Sequence, residues 1–227
     1  MKRNTKTSTS RSPKRDTNHK KQTTAGKVRI VGGQFKRRSI NFIDADGLRP
    51  TPDRLRETLF NWLLADMHGA RVLDSCAGSG VLGFEALSRG AAHCTFIETN
   101  QSQYQMLLKS SQQLNIDTDS CLILHGNAEH VLSQNSHFNH PFDIVFIDPP
   151  YAKELWQPIL TTLIEQSLIT TKTLIYLEAD KDLNEQLNEL AQSLSSVFIA
   201  QGLSGFETIK QTKVGQVVAG LYRLESS

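Results

Sequence analysis

The sequence predicts an α/β protein: a mostly parallel sheet with helices on both faces, antiparallel C-terminal strands, and a small N-terminal β-hairpin plus helix. Three observations lead there. From residue 71 onward apolar runs alternate with helix-like stretches, and strands that are apolar throughout belong to parallel sheets covered on both sides. From residue 196 the alternation stops; strand signals continue with a turn-like Gly-Leu-Ser-Gly stretch and no convincing helix, which suits antiparallel strands finishing the sheet. Ahead of residue 71 stand a short basic two-strand pattern and one amphipathic helix.

A chain of 227 residues with 38% hydrophobic content can bury one substantial core. No apolar run is long enough to span a bilayer, and none follows the basic N-terminus as a secretory signal would require. Cys76, Cys94 and Cys121 are an odd number at no metal-ligand spacing, so they read as reduced core residues of a cytoplasmic protein. The net charge of +2 conceals an asymmetry. Residues 1–38 hold 13 Lys/Arg against one acid, whereas residues 39–227 hold 12 against 22. An acidic body therefore carries a basic arm. From Met1 to Ala25 there is no Leu, Ile, Val or aromatic residue to offset the entropy of folding, nor the apolar helical face of a mitochondrial presequence. Residues 1–26 are expected to be a disordered arm, either a solubilising extension or a polyanion-binding one.

Taken in order, "VRIVGGQFKRRSINF" (28–42) reads as two strands joined through Lys36, Arg37 and Arg38, within a hairpin extension spanning 27–50. The main domain is expected over 51–227. It opens on a helix for which Thr51 is a good N-cap and Pro52 a good first residue. Leu55, Leu59, Trp62 and Leu63 share its apolar face, while Arg54, Glu57, Thr58 and Asn61 lie opposite, on solvated surface or facing a site. Strands follow at "RVLDSC", "HCTFIE", "CLILHG", "DIVFID" and "TLIYLEA". Helices are expected to begin near Gly80, Asn100, Asn127 and Glu154, with a weaker one after Lys181. His125, His130, His137 and His140 share no helical face and read as loop histidines, not as a metal site.

"VLDSCAGSGVLGFEAL" is a strand, a glycine loop and a helix. Gly78, Gly80 and Gly83 satisfy G-x-G-x-x-G, and Glu98 ends the next strand 20 residues after Gly78. Such glycines let the backbone turn tightly and approach a ligand; the helix N-terminus offers amide donors, and the acid accepts from ribose hydroxyls. NAD, FAD and S-adenosylmethionine all use loops of this kind. Asp74, at the strand end, would repel a pyrophosphate and suit a cationic amino-acid moiety. Asn127 and Ala128 follow the third strand, a place for a polar contact to an adenine edge.

"FDIVFIDPPY" ends the fourth strand, so its last residues emerge at the carboxyl edge of the sheet beside the glycine loop. Pro149 and Pro150 fix the backbone and remove two N–H donors, leaving carbonyl acceptors. Asp148 adds a carboxylate and Tyr151 a flat aromatic face. Acceptors beside a stacking platform suit a planar base with an exocyclic NH2, whose lone pair could then attack a sulfonium methyl in line.

These residues resemble class I S-adenosylmethionine-dependent methyltransferases, and the D-P-P-Y form resembles their amino-methylating branch. "VRIVGGQF", "GLRPTPDRLRETLFNWL", "LDSCAGSGVLGFEALSRGA" and "FDIVFIDPPY" are similar to the bacterial 16S ribosomal RNA (guanine(966)-N(2)) methyltransferase family, closely over residues 28 to 155 and loosely beyond. The resemblance implies a Rossmann-like fold, S-adenosylmethionine as cofactor and 16S rRNA or an assembling small subunit as partner, acted on by a monomer. It implies that Asp74, Ala77, Gly78, Gly80, Glu98, Asn127 and Ala128 hold the cofactor. Asp148, Pro149, Pro150 and Tyr151 would hold a flipped guanine. Arg49, Thr51 and Arg54 would border the site, and Lys36, Arg37 and Arg38 would grip RNA phosphates. Two alternatives stand beside it: a DNA adenine-N6 methyltransferase, for which no target-recognition segment is evident, and a non-catalytic RNA-binding assembly factor, which would not need the glycine loop, Glu98 and Asp148 together. A dehydrogenase would leave D-P-P-Y idle.

Overall fold

In a computed structural model the described residues are 24–44, 50–134, 138–150, 155–179 and 182–227. Most of the arm, Arg49 and Tyr151 therefore lie outside the described residues. The first strand, β1 (Thr24–Arg29), begins inside the stretch expected to be arm; it pairs antiparallel with β2 (Ser39–Asp44) in a separate two-stranded sheet.

Helix α1 (Asp53–Trp62) starts one residue later than Thr51 would dictate as its cap. Pro52 occupies the capping position and no side chain caps the helix. The buried face of α1 includes Leu55, Leu59 and, just past the helix, Leu63 as expected; Trp62 is half-buried, and the stripe also takes in Arg56 and Phe60.

The main sheet is built from β3 (Arg71–Asp74), β4 (His93–Glu98), β5 (Cys121–His125), β6 (Ile144–Ile147), β7 (Leu174–Ala179), β8 (Leu203–Val214) and β9 (Val217–Ser226). Their order is β5-β4-β3-β6-β7-β9-β8; the first five are mutually parallel, and β9 runs antiparallel between β7 and β8. Successive residues alternate between two cores. Val72, Phe96, Phe146 and Tyr176 face one core, shared with the hairpin, α1, α2 (Val81–Ser88) and α3 (Gln101–Leu114). Leu73, Ile97, Val145 and Ile147 face the other, covered by α4 (Ala128–Ser133), α5 (Trp156–Glu165), α6 (Leu183–Ser193) and α7 (Ser195–Ala200). Both faces are covered, as the unbroken apolar strands require.

Two local expectations fail at the C-terminal end. "SSVFIA" forms α7, not a strand, because it continues directly from α6 through Leu194, with Leu194 N donating to Leu190 O and Phe198 N to Leu194 O. The helical ladder carries Phe198 onto Phe206, 5.4 Å between centroids, overriding the strand preference of Val197 and Ile199. The hairpin turn between β8 and β9 lies at Gly215, whose φ of 64° suits glycine, whereas Ser204 and Gly205 lie within β8 beside a register shift.

The N-terminal hairpin is clamped onto α2. Val31 N and Gly32 N donate to the two carboxylate oxygens of Glu85 at 2.8 and 2.7 Å, and Phe35 N donates to Ser88 Oγ at 2.8 Å. Glu85 is completely buried and also receives Arg56 Nη1 at 3.3 Å and Arg89 Nε at 2.8 Å. Arg56, fully buried as well, reaches Asp53 at 2.5 Å. Gly33 has φ 70°, and a side chain there would run into the Ser88 carbonyl oxygen. All eight residues of α2 are buried between hairpin and sheet.

Candidate active site

The sheet reverses its winding between β3 and β6, and open α/β sheets bind ligands at the carboxyl ends of strands flanking such a point. Several of the residues singled out from sequence converge there. After β3 the chain turns back over the strand ends: Ser75 N and Oγ both donate to Phe146 O, at 3.1 and 2.8 Å, and Ala77 N donates to Ile97 O at 2.9 Å. Gly78 and Gly80 have φ of 50° and 74°, which explains glycine at both, and Gly80 caps α2. Gly83 answers to packing: an added Cβ would collide with the Phe96 ring.

Glu98 ties this loop to the end of β4. Its Oε2 accepts from Gly78 N at 2.8 Å and its Oε1 from Asn100 N at 2.7 Å, leaving lone pairs for a further donor at each oxygen. Burial pushes its carboxyl up, and the amides of Asn100, Gly78 and Thr99 oppose that shift. Asn100 caps α3 through Oδ1, which accepts from Ser102 N and Gln103 N at 3.0 Å. Asn127 stands at the cap of α4 with no capping bond, and its side chain is exposed; Ala128 is buried behind it.

Asp74 is 3% exposed and accepts from Gly83 N at 3.1 Å. Burial raises its carboxyl to about 7, against the Gly83 amide and aided by the charge of Glu98. No cation balances it among the described residues, so the position is electrostatically suited to a positively charged group.

Asp74 is one of three carboxyls in a row. Asp148 follows β6 and Glu178 lies near the end of β7, each two residues after Phe146 and Tyr176, which share a core face with Val72. Asp148 and Glu178 are neighbours, one step past the paired couple Ile147 and Leu177. Asp148 keeps some exposure, whereas Glu178 is 3% exposed and its Oε1 accepts from Tyr176 Oη at 2.7 Å. Thr51 is buried beside the two carboxyls, and its hydroxyl opposes the rise of each. Burial raises Asp148 well above the usual carboxylate range, with Glu178 and then Asp74 adding to the shift. Burial raises Glu178 too. Pro149 is buried and Pro150 exposed.

Glu178, Tyr176 and Arg56 were not anticipated as site or network residues. Glu178 carried one readable signal: an acid near the end of an otherwise apolar strand, as Asp148 is. Lys36, Arg37 and Arg54 are exposed. Arg38 is exposed yet engaged, since its Nη1 donates to Leu114 O at 3.1 Å and its Nη2 to Gln113 O, closing the C-terminal end of α3. A cleft of about 670 Å³ between α4 and α5, lined by Glu129, His130, Ser133, Gln157 and Pro158, contains none of the expected site residues.

This strand order, with an antiparallel β9 inserted next to the last position, together with a glycine loop and an acid ending β4, defines a class I Rossmann-like methyltransferase. Residues 28–223 match the family model described as conserved hypothetical protein 95, and the chain belongs to that methyltransferase family. It is 40% identical over 157 residues to the protein named ribosomal RNA small subunit methyltransferase D of Haemophilus influenzae, covering 69% of this chain and 81% of the relative. The Escherichia coli K12 protein of the same name is 40% identical over 156 residues, covering 69% and 76%. Among solved structures, yhhF from Escherichia coli superposes with a TM-score of 0.68 at 32% identity, covering 89% of this chain and all of the other. The fold is also that of SMU.776 complexed with SAH, at a TM-score of 0.60 and 16% identity.

Proposed function

We propose that this protein transfers a methyl group from S-adenosylmethionine to the exocyclic N2 amine of a guanine in 16S rRNA of the small ribosomal subunit, acting in the cytoplasm. The observation that carries this reading is the row of carboxyls at Asp74, Asp148 and Glu178, beside relatives named for methylating small-subunit ribosomal RNA.

The residues present fit the cofactor. Asp74 is a buried carboxyl lacking a counter-charge, Glu98 has acceptor capacity left at both oxygens, and the Asn127 side chain makes no capping bond. Asp74 would hold the cationic amino-acid end, Glu98 the ribose hydroxyls and Asn127 the adenine edge. When bound, S-adenosylmethionine supplies an electrophilic methyl on a sulfonium, and the thioether left behind is neutral.

The chain's own part is positioning. Asp148 and the Pro149 and Pro150 carbonyls accept the amino hydrogens and aim the nitrogen lone pair outward, and Tyr151 supplies a stacking face. As the N–C bond forms, the amine loses a proton, and Asp148 is the base within reach. A site offering acceptors favours guanine, whose N1–H and N2–H2 all donate, over adenine, whose N1 accepts. The base would be flipped out of its stack, while Lys36, Arg37, Arg54 and, outside the described residues, Arg49 would meet phosphates.

The test is nucleoside analysis of small-subunit RNA after incubation with protein and labelled cofactor, and from cells with and without the gene. N2-methylguanosine is expected; N6-methyladenosine or no label would overturn the reading. In the same assay Asp148→Ala should lower the single-turnover rate by about 2–4 kcal/mol of transition-state stabilisation while cofactor affinity holds.

A further inference from the structure

The N-terminal hairpin is held to the body differently at its two ends. Its loop end is bonded to α2 through Glu85 and Ser88, and Arg38 reaches the C-terminal end of α3. Its open end, where Thr24 pairs with Asp44, meets the opposite end of α3. There Ile43 N donates to Gln103 Oε1 at 2.8 Å. Gln103 lies in the first turn of α3, is 3% exposed, and its Nε2 is buried with no partner among the described residues. An amide buried with its N–H2 unmet costs stability, and a leucine in its place would pack without that cost. What the glutamine supplies is an acceptor, and the acceptor is taken by the hairpin.

From Gln103 the bonding continues to the glycine loop. Gln103 N donates to Asn100 Oδ1 at 3.0 Å, and Asn100 N donates to Glu98 Oε1 at 2.7 Å. Glu98 Oε2 accepts in turn from Gly78 N at 2.8 Å. An unbroken run of hydrogen bonds therefore leads from β2, through the cap of α3, to the carboxylate at the end of β4 and the loop beside it. We propose that Gln103 is a positioning residue that couples the open end of the hairpin to the cofactor site. A ligand that fixes Glu98 restrains Asn100 N, and the capping oxygen of Asn100 passes that restraint to the turn carrying Gln103. Gln103 Oε1 then holds Ile43 in place. Coupling of this kind is reciprocal: freeing the hairpin end weakens the ligand by the factor with which the ligand tightens the hairpin. The inference rests on the reading of Glu98 as the acceptor for the cofactor's ribose.

Hydrogen exchange in the full-length protein, followed by NMR with and without SAH, tests the coupling without RNA. SAH should slow exchange of the Ile43 amide by about fivefold or more. The Phe35 amide, bonded to Ser88 at the other end of the hairpin, should slow much less. In Gln103→Leu the Ile43 amide should exchange at one rate whether SAH is present or not, and SAH affinity should fall about fivefold. Ser88→Ala, which loosens the hairpin at its loop end only, should leave the SAH effect at Ile43 and the SAH affinity unchanged. Bound SAH with no change at Ile43, or with equal slowing at Ile43 and Phe35, would overturn the inference and leave the cofactor reading standing. Loss of the effect in Ser88→Ala as in Gln103→Leu would overturn it too, since loosening of any kind would then suffice. The comparison of Ile43 with Phe35 is made in the unaltered protein, so it decides the matter even where the leucine variant does not fold. Failure of SAH to bind at all would remove the cofactor reading and the coupling together.

Discussion

Asp74 makes the sharpest case for a residue whose chemistry depends on where the fold puts it. Its carboxyl is pushed up to about 7 from 3.8, so between those values the folded chain binds more protons there than the unfolded chain does. Its contribution to stability is therefore greatest below 3.8 and falls as pH rises through about 7. A cationic ligand reverses the preference by favouring the carboxylate. Cofactor affinity should rise across the same window, with proton release visible when calorimetry is repeated in buffers of different ionisation enthalpy. Asp74→Asn should abolish that release and weaken binding; an unaltered proton count would remove Asp74 from the cofactor site. Glu98→Gln keeps one acceptor oxygen and loses the charge. Affinity should drop by about 1.5–3 kcal/mol, with a smaller change in the rate of the bound complex. Wild-type affinity in titration calorimetry would place the ribose elsewhere.

Helix α2 joins the glycine loop to the hairpin, and its hold on the hairpin is polar. Glu85 accepts from two backbone amides and two arginines while having no exposure of its own. In Glu85→Ala the buried Arg56 loses its partner and two amides of the hairpin loop lose their acceptor. Removing one side of a buried ion pair costs about 3–5 kcal/mol. Urea denaturation should show that loss in the midpoint, and hydrogen exchange should show Val31 and Gly32 opening early. Exchange as slow as in the unaltered protein would mean that apolar packing of Val28, Ile30, Ile40 and Phe42 seats the hairpin unaided.

The whole chain is a charged object with its signs apart. The arm, outside the described residues, carries eight Lys/Arg within residues 1–23, ahead of an acidic body. Deleting those residues spares β1, which starts at Thr24, and should leave a folded protein with full cofactor affinity. RNA binding should weaken at low salt. The slope of log affinity against log salt should flatten by about 0.7 for each single-strand phosphate that the arm would otherwise neutralise, without a change of target base. Identical slopes for the two proteins would mark the arm as a solubilising extension.

Much of this site was legible in the residues alone, because its parts are local. The glycine loop, Glu98 at the end of its strand, Asn100 as a helix cap and the apolar runs of the parallel strands each express backbone preferences or burial within a few residues. Short-range preference misleads where a neighbouring element overrides it, as at Ser195–Ala200, drawn into a helix by α6. Other features had no local signature. Glu178 stands beside Asp148 because β7 lies beside β6, and Arg56 meets Glu85 because α1 and α2 share one face of the sheet. Apolar periodicity says that a strand is buried but not which strand lies next to it. The pairing of carboxyls arises from strand order, which is settled when the sheet assembles.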